Sequence, residues 1–458
     1  MQRLIDRHVT WRRGLVAVVA IGAALRLVML ATKWNRPLQL NDSIWYSYTA
    51  TDLTQGIWFR NLLTGGPSAE HAPLTTIVIT PASFLADPVL GQRITTTLLG
   101  ITSVVLVAFV GRRVGGERVG LVAGLLAAVY PNMWLSDGLV MSESLAIVIV
   151  AGFLLLALEL VETPTMRVGA AVGAVVALAA LTRSELLLLG PLLAAVVWHR
   201  HGWRTTWRPL ALAGGVGLLV LAPWMLFNAS RFERSVLLTT NDGTTLLGAN
   251  CDDVYGGSNM GGWSLFCVFD APEVPGDDSV RSAAQRDLAF EYIGANIERV
   301  PLVMAARVAR VVDLHGVPDM VNGDVGEERP RAGVWLGIVM LWALIPLSLL
   351  GLRRMRPVHA QVLLLPVVVV LAITIVFYGG HRLRAPAEPV LCVAAAMFLA
   401  RGVAVRSTDG SGNSAGDALD AGLAEGAVVE PDRDVAVDAG HGRGRIERIR
   451  HVPPFAGA

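Results

Sequence analysis

The sequence predicts an all-α polytopic membrane protein that crosses the bilayer about ten times, and three observations carry that prediction. Of its 458 residues, 53% are hydrophobic and only 16% charged, with a mean hydropathy of +0.54. A soluble domain carries about 25% charged residues. Several apolar runs approach the ~20 residues that a helix needs to cross the hydrocarbon core. The arginines, finally, cluster in short loops in a pattern that one topology satisfies. A net charge of +1, with no basic cluster interleaved with aromatics, argues against a nucleic-acid partner.

Taken in order, the apolar runs place crossings at 14–32, 94–111, 118–132, 143–161, 167–181, 185–199, 209–227, 333–351, 359–378 and 385–402. The basic stretch "MQRLIDRHVTWRRG" precedes the first run with no small-residue cleavage site after it, which reads as a cytoplasmic N-terminus (1–13) leading into an uncleaved helix. The run 74–90 is nearly long enough to cross, but Pro81, Asp87 and Pro88 interrupt it. If it crossed, Arg112, Arg113 and Arg118 would fall outside, with the clusters Arg200–Arg204–Arg208 and Arg353–Arg354–Arg356. Laying it along the outer surface returns all three clusters to the cytoplasmic side.

Two outer loops follow, at about 33–93 and 228–333. The first is expected to bear interfacial helices. The second is rich in turn dipeptides such as Asp242-Gly243, and an amphipathic helix broken at Pro301 is expected over 282–313. The Gly/Asp/Ala/Glu-rich residues 403–458 read as a disordered cytoplasmic tail. Lys33 is the only lysine, a bias typical of high-GC bacterial genomes that suggests a bacterial plasma membrane. Cys392 lies in an apolar run as an inert thiol. Cys251 and Cys267 share one polar loop, either as free thiols or, in an oxidising compartment, as a disulfide.

Ionisable groups at a membrane edge are costly and therefore informative. With this topology Asp42, Glu70, His71, Arg93, Asp137, Glu143, Arg183, Glu185, His381, Arg382, Arg384 and Glu388 gather at the outer face. Each has a simpler reading. Asp42 suits the N-cap of a helix over Ser43–Gln55, single arginines snorkel to headgroups, Glu143 and Arg183 suit a helix-holding pair, and His71 suits an ordinary loop. It is their coincidence on one face that points to chemistry. Guanidinium groups pair bidentately with phosphate oxygens, and a carboxylate nearby suits proton removal from a hydroxyl. Arginines to bind an anionic lipid head and an acid to activate a nucleophile describe group transfer from a lipid-phosphate carrier. No phosphate-binding glycine loop is present, so the energy for group transfer must arrive inside the donor. No Cys/His ligand spacing calls for a tightly held metal, which leaves a loosely held divalent cation open.

In the order of these segments the chain resembles the GT-C membrane glycosyltransferases, in particular the glycosyltransferase-39-like branch of protein O-mannosyltransferases and lipid A aminoarabinose transferases. The resemblance spans most of 14–402. It is carried by Asp42, Tyr46, Ala50 and Gly56 in the first loop, then "EHAPLTTIVITPASFL" with His71 and Pro73, "RITTTLLG" from Arg93, "GRRVGGERVGLVAGLLAAVYP", the helix opening at Glu143, "LTRSELLLL" and "HRLRAPAEP". It implies a GT-C-like bundle, a polyprenyl-phosphate sugar donor and a hydroxyl acceptor on a glycan, lipid or protein. It also implies transfer at the extracytoplasmic face with inversion at the anomeric carbon. It would make Asp42 the catalytic general base or an acceptor-orienting acid and Arg93, Arg183, Arg382 and Arg384 the candidates for the donor phosphate, with Tyr46, Glu70, His71, Glu143 and His381 on the acceptor side. Two departures concern the acceptor: Asn41 and Ser43 flank the aspartate where many members carry a second acid, and Ala72-Pro73 replaces a doubled proline. Asn241, Asn250 and Trp263 in the second loop are further candidates for sugar contact. Two other readings remain: a lipid-linked substrate transporter or flippase, and an inactive scaffold of the same fold.

Overall fold

The computed structural model describes residues 2–39 and 42–409, and the side chains of 10–39 and 42–400. Asn41 and the tail reading beyond 409 lie outside these. The described residues form helices joined by loops, with one isolated antiparallel bridge between Arg60 and Pro67.

The first helix, α1 (Gln2–Ala31), is followed by two short ones, α2 (Asp42–Thr54) and α3 (Leu74–Ile79). A 3-10 turn over Thr80–Phe84 then leads to α4 (Pro88–Gly115). Asp87 caps α4, its side chain accepting from the Leu90 N–H, and Pro88 sits in the first turn, where its missing N–H is harmless. The apolar stretch Leu74–Phe84 is too short to cross a membrane, as expected for a segment that lies along the bundle end.

A tight turn at Gly116, whose φ of 88° suits glycine, connects α4 to α5 (Glu117–Val129). Next come α6 (Glu143–Glu162), α7 (Met166–Ala180), α8 (Leu189–His201) and α9 (Trp203–Ala229). The second loop holds α10 (Asn241–Gly248), the single turn α11 (Phe266–Phe269), α12 (Asp278–Ala295), α13 (Val300–Val311) and α14 (Val317–Gly326). The expected break before Pro301 falls between α12 and α13. A disulfide joins Cys251 to Cys267, settling that open pair. The chain finishes with α15 (Arg331–Leu352), α16 (Pro357–Val376), a 3-10 turn over His381–Ala387 and α17 (Glu388–Asp409).

All ten predicted crossings are helices, but only seven of the described segments are long and apolar enough to span. The exceptions are α5, α7 and α8, of 13, 15 and 13 residues. Their apolar runs continue past the helix ends into irregular backbone: α5 stops before Pro131, and α8 is preceded by the 3-10 turn Ser184–Leu188.

The core is built around α6, where Phe153, Leu154, Ala157 and Leu158 are fully enclosed by neighbouring helices. Close helix approach replaces hydrophobic drive inside a membrane, and small residues permit it. On α7, added Cβ atoms at Gly169 and Gly173 would meet the backbone of Pro209 and Ala213 on α9. By contrast α9 turns most of its surface outward, as a helix facing lipid does.

Candidate active site

A cavity of about 320 Å³ opens at the end of the bundle where the first and second loops meet. Its walls include Asp42, Tyr46, Glu70, His71, Arg183 and Arg382. These come from four segments distant in sequence: α2, the loop before α3, the turn after α7, and the 3-10 turn before α17.

Arg382 organises the site. Its Nη2 donates to Asp42 Oδ2 at 2.5 Å, its Nε to Glu143 Oε1 at 2.8 Å and its Nη1 to Glu327 Oε1 at 3.0 Å. Arg183 donates through Nε to Glu185 at 2.7 Å and lies 3.6 Å from Glu143. Glu143, the first residue of α6, is fully buried and thus ties both arginines to the bundle. Arg183 lines the cavity, whereas Glu143 lies behind the wall and does not.

Asp42 is the first residue of α2, and its side chain remains 34% exposed toward the cavity. Burial pushes its carboxyl up, but Arg382, which also donates a hydrogen bond to it, and Arg183 outweigh it and hold the group well below the usual carboxylate range. Asp42 is therefore an anion at neutral pH. One helical turn on, burial and the Asp42 charge push the Tyr46 phenol up, so it stays protonated. The Tyr46 ring stacks on the His71 imidazole at 5.0 Å between centroids, and Trp45 meets that imidazole edge-on, also at 5.0 Å. Burial pushes the Glu70 carboxyl up as well.

The remaining predicted residues go elsewhere. Arg93 is fully buried, donating to the Gly138 carbonyl at 2.7 Å and to Glu328 at 2.9 Å. Arg384 is spent on Glu388 at 2.6 Å, Asp313 at 3.2 Å and the Val311 carbonyl. His381 lies 2.6 Å from both Asp313 and Asp324. None of these three, expected to hold a donor phosphate (Arg93, Arg384) or to face the acceptor (His381), lines the cavity. From the tight turn His381–Ala387, Arg382 and Leu383 reach the opening and Arg384 does not.

Sequence reasoning missed Glu327, Asp242, Thr245 and Tyr378, which complete the network or the walls. Of the three second-loop candidates, Asn241 lines the cavity. Asn250 is buried, accepting from Tyr255 and Arg307, and Trp263 is not among the lining residues. Among the described residues no group of three or more His, Cys, Asp or Glu side chains is arranged to hold a metal, because the clustered carboxylates are paired with arginines.

Residues 70–227 match a protein family described as dolichyl-phosphate-mannose-protein mannosyltransferase. No curated protein matches the chain as a whole. Among solved structures it is similar to the oligosaccharyltransferase AglB from Archaeoglobus fulgidus in complex with an inhibitory peptide and a dolichol-phosphate, with a TM-score of 0.52 and 14% identity over 89% of this chain and 52% of that one. The same oligosaccharyltransferase complexed with zinc and sulfate gives a TM-score of 0.51 and 14% identity over 86% and 49%. ArnT from Cupriavidus metallidurans bound to undecaprenyl phosphate gives 0.42 and 14% over 87% and 79%. The chain spans about half the length of the solved oligosaccharyltransferases it matches. It has the GT-C fold of these membrane glycosyltransferases.

Proposed function

We propose that the chain transfers a sugar from a polyprenyl-phosphate carrier to an acceptor hydroxyl at the extracytoplasmic face of a bacterial plasma membrane. The observation that carries this reading is the cavity itself, where an ionised Asp42 stands against Arg382 and Arg183 in a space of about 320 Å³. The AglB structure with a dolichol-phosphate and the match to a dolichyl-phosphate-mannose family support the donor class. Sidedness is supported by the arginines of the α4–α5, α8–α9 and α15–α16 connections, which lie at the helix ends remote from α2 and would face the cytoplasm.

In this reading the acceptor hydroxyl donates a hydrogen bond to Asp42 and attacks the anomeric carbon from the side opposite the phosphate. The C–O bond to the phosphate breaks with its electron pair, and Arg382 and Arg183 stabilise the charge that gathers on the departing lipid phosphate. The phosphate is already a good leaving group, so no general acid is needed. Tyr46, Glu70 and His71 line the acceptor side, and Glu143 sets both arginines. The sugar is read as a hexose or pentose.

Purified protein incubated with radiolabelled polyprenyl-phosphate sugars and native membrane extract as acceptor should release free polyprenyl phosphate, and Asp42→Asn should not. A wild-type protein that consumes none of the donors would remove the proposal. A carrier that moves label across vesicles without cleaving it would replace it with transport.

A further inference from the structure

His71 has an unexplained feature beyond lining the cavity. Its Nε2 is closed off from solvent and has no hydrogen-bond partner. A buried polar atom left unpaired is costly, so it calls for an explanation. The ring is not free to turn away, because Tyr46 covers its face and Trp45 its edge. Held in that slot, Nε2 faces Asp42 Oδ1 at 3.8 Å. The other carboxylate oxygen, Oδ2, belongs to Arg382. The two oxygens of Asp42 thus have different neighbours: one a permanent cation, the other an imidazole nitrogen just beyond bonding distance.

We propose that Asp42 and His71 form a proton relay, in which the proton leaving the acceptor hydroxyl passes by way of Asp42 Oδ1 and comes to rest on His71 Nε2. The inference rests on the glycosyl-transfer reading above and deepens it. Asp42, the more exposed of the two, meets the hydroxyl, and His71 stands beside it in the cavity wall.

The chemistry requires such a partner. A carboxylate pinned by a guanidinium is a weak base, whereas an imidazole is ordinarily the more basic group. In the balanced step the acceptor O–H bond breaks and the oxygen–anomeric carbon bond forms. The anomeric carbon–phosphate oxygen bond breaks with its electron pair, and the proton moves to Nε2. Closing the gap from 3.8 Å to about 2.8 Å takes a small tilt of the ring within its aromatic slot. Nε2 can accept only in the tautomer that carries its hydrogen on Nδ1. The resulting imidazolium lies against Asp42, which balances its charge while Arg382 and Arg183 attend to the leaving phosphate. Glu70, also at the cavity wall, is the remaining titratable neighbour on this side.

The test uses the full chain in proteoliposomes with radiolabelled polyprenyl-phosphate sugars as donors and native membrane extract as acceptor. His71→Gln keeps a side chain of similar reach but has no basic nitrogen. Its kcat should fall about 100-fold, the size of a lost general base, with the donor KM within about twofold of wild type and thermal stability retained. His71→Ala should lose activity similarly and recover part of it on addition of free imidazole, which would have no effect on His71→Gln. A full kcat in His71→Gln beside an inactive Asp42→Asn would overturn the relay and leave the glycosyl-transfer reading standing. A raised KM with unchanged kcat would also overturn it, since His71 would then hold substrate and not the proton. If the wild type itself consumes no donor, the parent reading falls, and the relay with it.

Discussion

Two sets of buried charges lie near one another in this molecule, and they are built differently. In the cavity set, Arg382 is 21% exposed and Asp42 34%, and the guanidinium is divided among three carboxylates from separate segments. In the sealed set, Arg26 pairs with Asp137 at 2.8 Å and Arg93 with Glu328 at 2.9 Å, with almost no exposure on either side. Arg384 with Asp313 and Glu388 belongs to the same kind. All are arginine–carboxylate pairs at or near one end of a membrane bundle. What separates them is access: the cavity charges can exchange a partner for a ligand, whereas the sealed ones can only lose one. A sealed pair broken on one side leaves an uncompensated buried charge, which typically costs 3–5 kcal/mol.

That contrast can be broken by mutation, beginning with the largest expected effect. Asp42→Asn should reduce turnover by about 1,000-fold or more with little change in melting temperature, measured as release of polyprenyl phosphate beside a thermal unfolding scan. Arg382→Ala should lower kcat/KM for the donor by about 100-fold or more, the scale of one lost charge-stabilising donor. Its neighbour two residues on, Arg384→Ala, should instead lose about 3–5 kcal/mol of stability. A donor KM defect in Arg384→Ala with normal stability would erase the distinction between the two sets. Arg93→Ala should behave like Arg384→Ala, with early unfolding and an unchanged donor KM in whatever fraction remains folded. Asn241→Ala is the smallest case. Loss of one neutral hydrogen bond to a sugar would lower kcat/KM by no more than about tenfold, or ~1.4 kcal/mol.

The sequence made the bundle legible because apolar length and arginine placement act over whole segments. The segment 74–90 shows this well: its composition alone suggested a crossing, charge placement argued against it, and the structure has a helix too short to cross. Asp42, His71, Arg183 and Arg382 were legible as a group for the same reason, since topology alone brings them to one end. The sorting of the arginines was not. Whether Arg382 or Arg384 faces the opening depends on a tight 3-10 turn, and no residue pattern reveals which side chain such a turn presents. Glu327, Glu328, Asp313 and Asp324 were invisible as partners because they lie in the second loop, where neither helical nor alternating periodicity marks which acids turn inward. Arg26 is the one charge placed deeper within a span while the other ionisable groups gather at one face, a distribution that disfavours transport. Its pairing with Asp137 gives it a purely structural task.

That pairing also bears on how the chain is made. Arg26 and Asp137 are separated by 111 positions, so the first helix leaves the ribosome and meets the translocon long before its counter-ion exists. An arginine within a lone apolar helix opposes insertion, by up to about 2.5–3.5 kcal/mol at the helix centre and by less towards its end. The partner, once made, has no latitude in where it sits: a methyl group at Gly100 would lie 1.9 Å from Asp137 Oδ2, so α4 must present a bare backbone at that point. The first helix is therefore held only provisionally until α4 and α5 have been added, and its final seating is a late event in assembly, locked by a residue from the far side of two later helices.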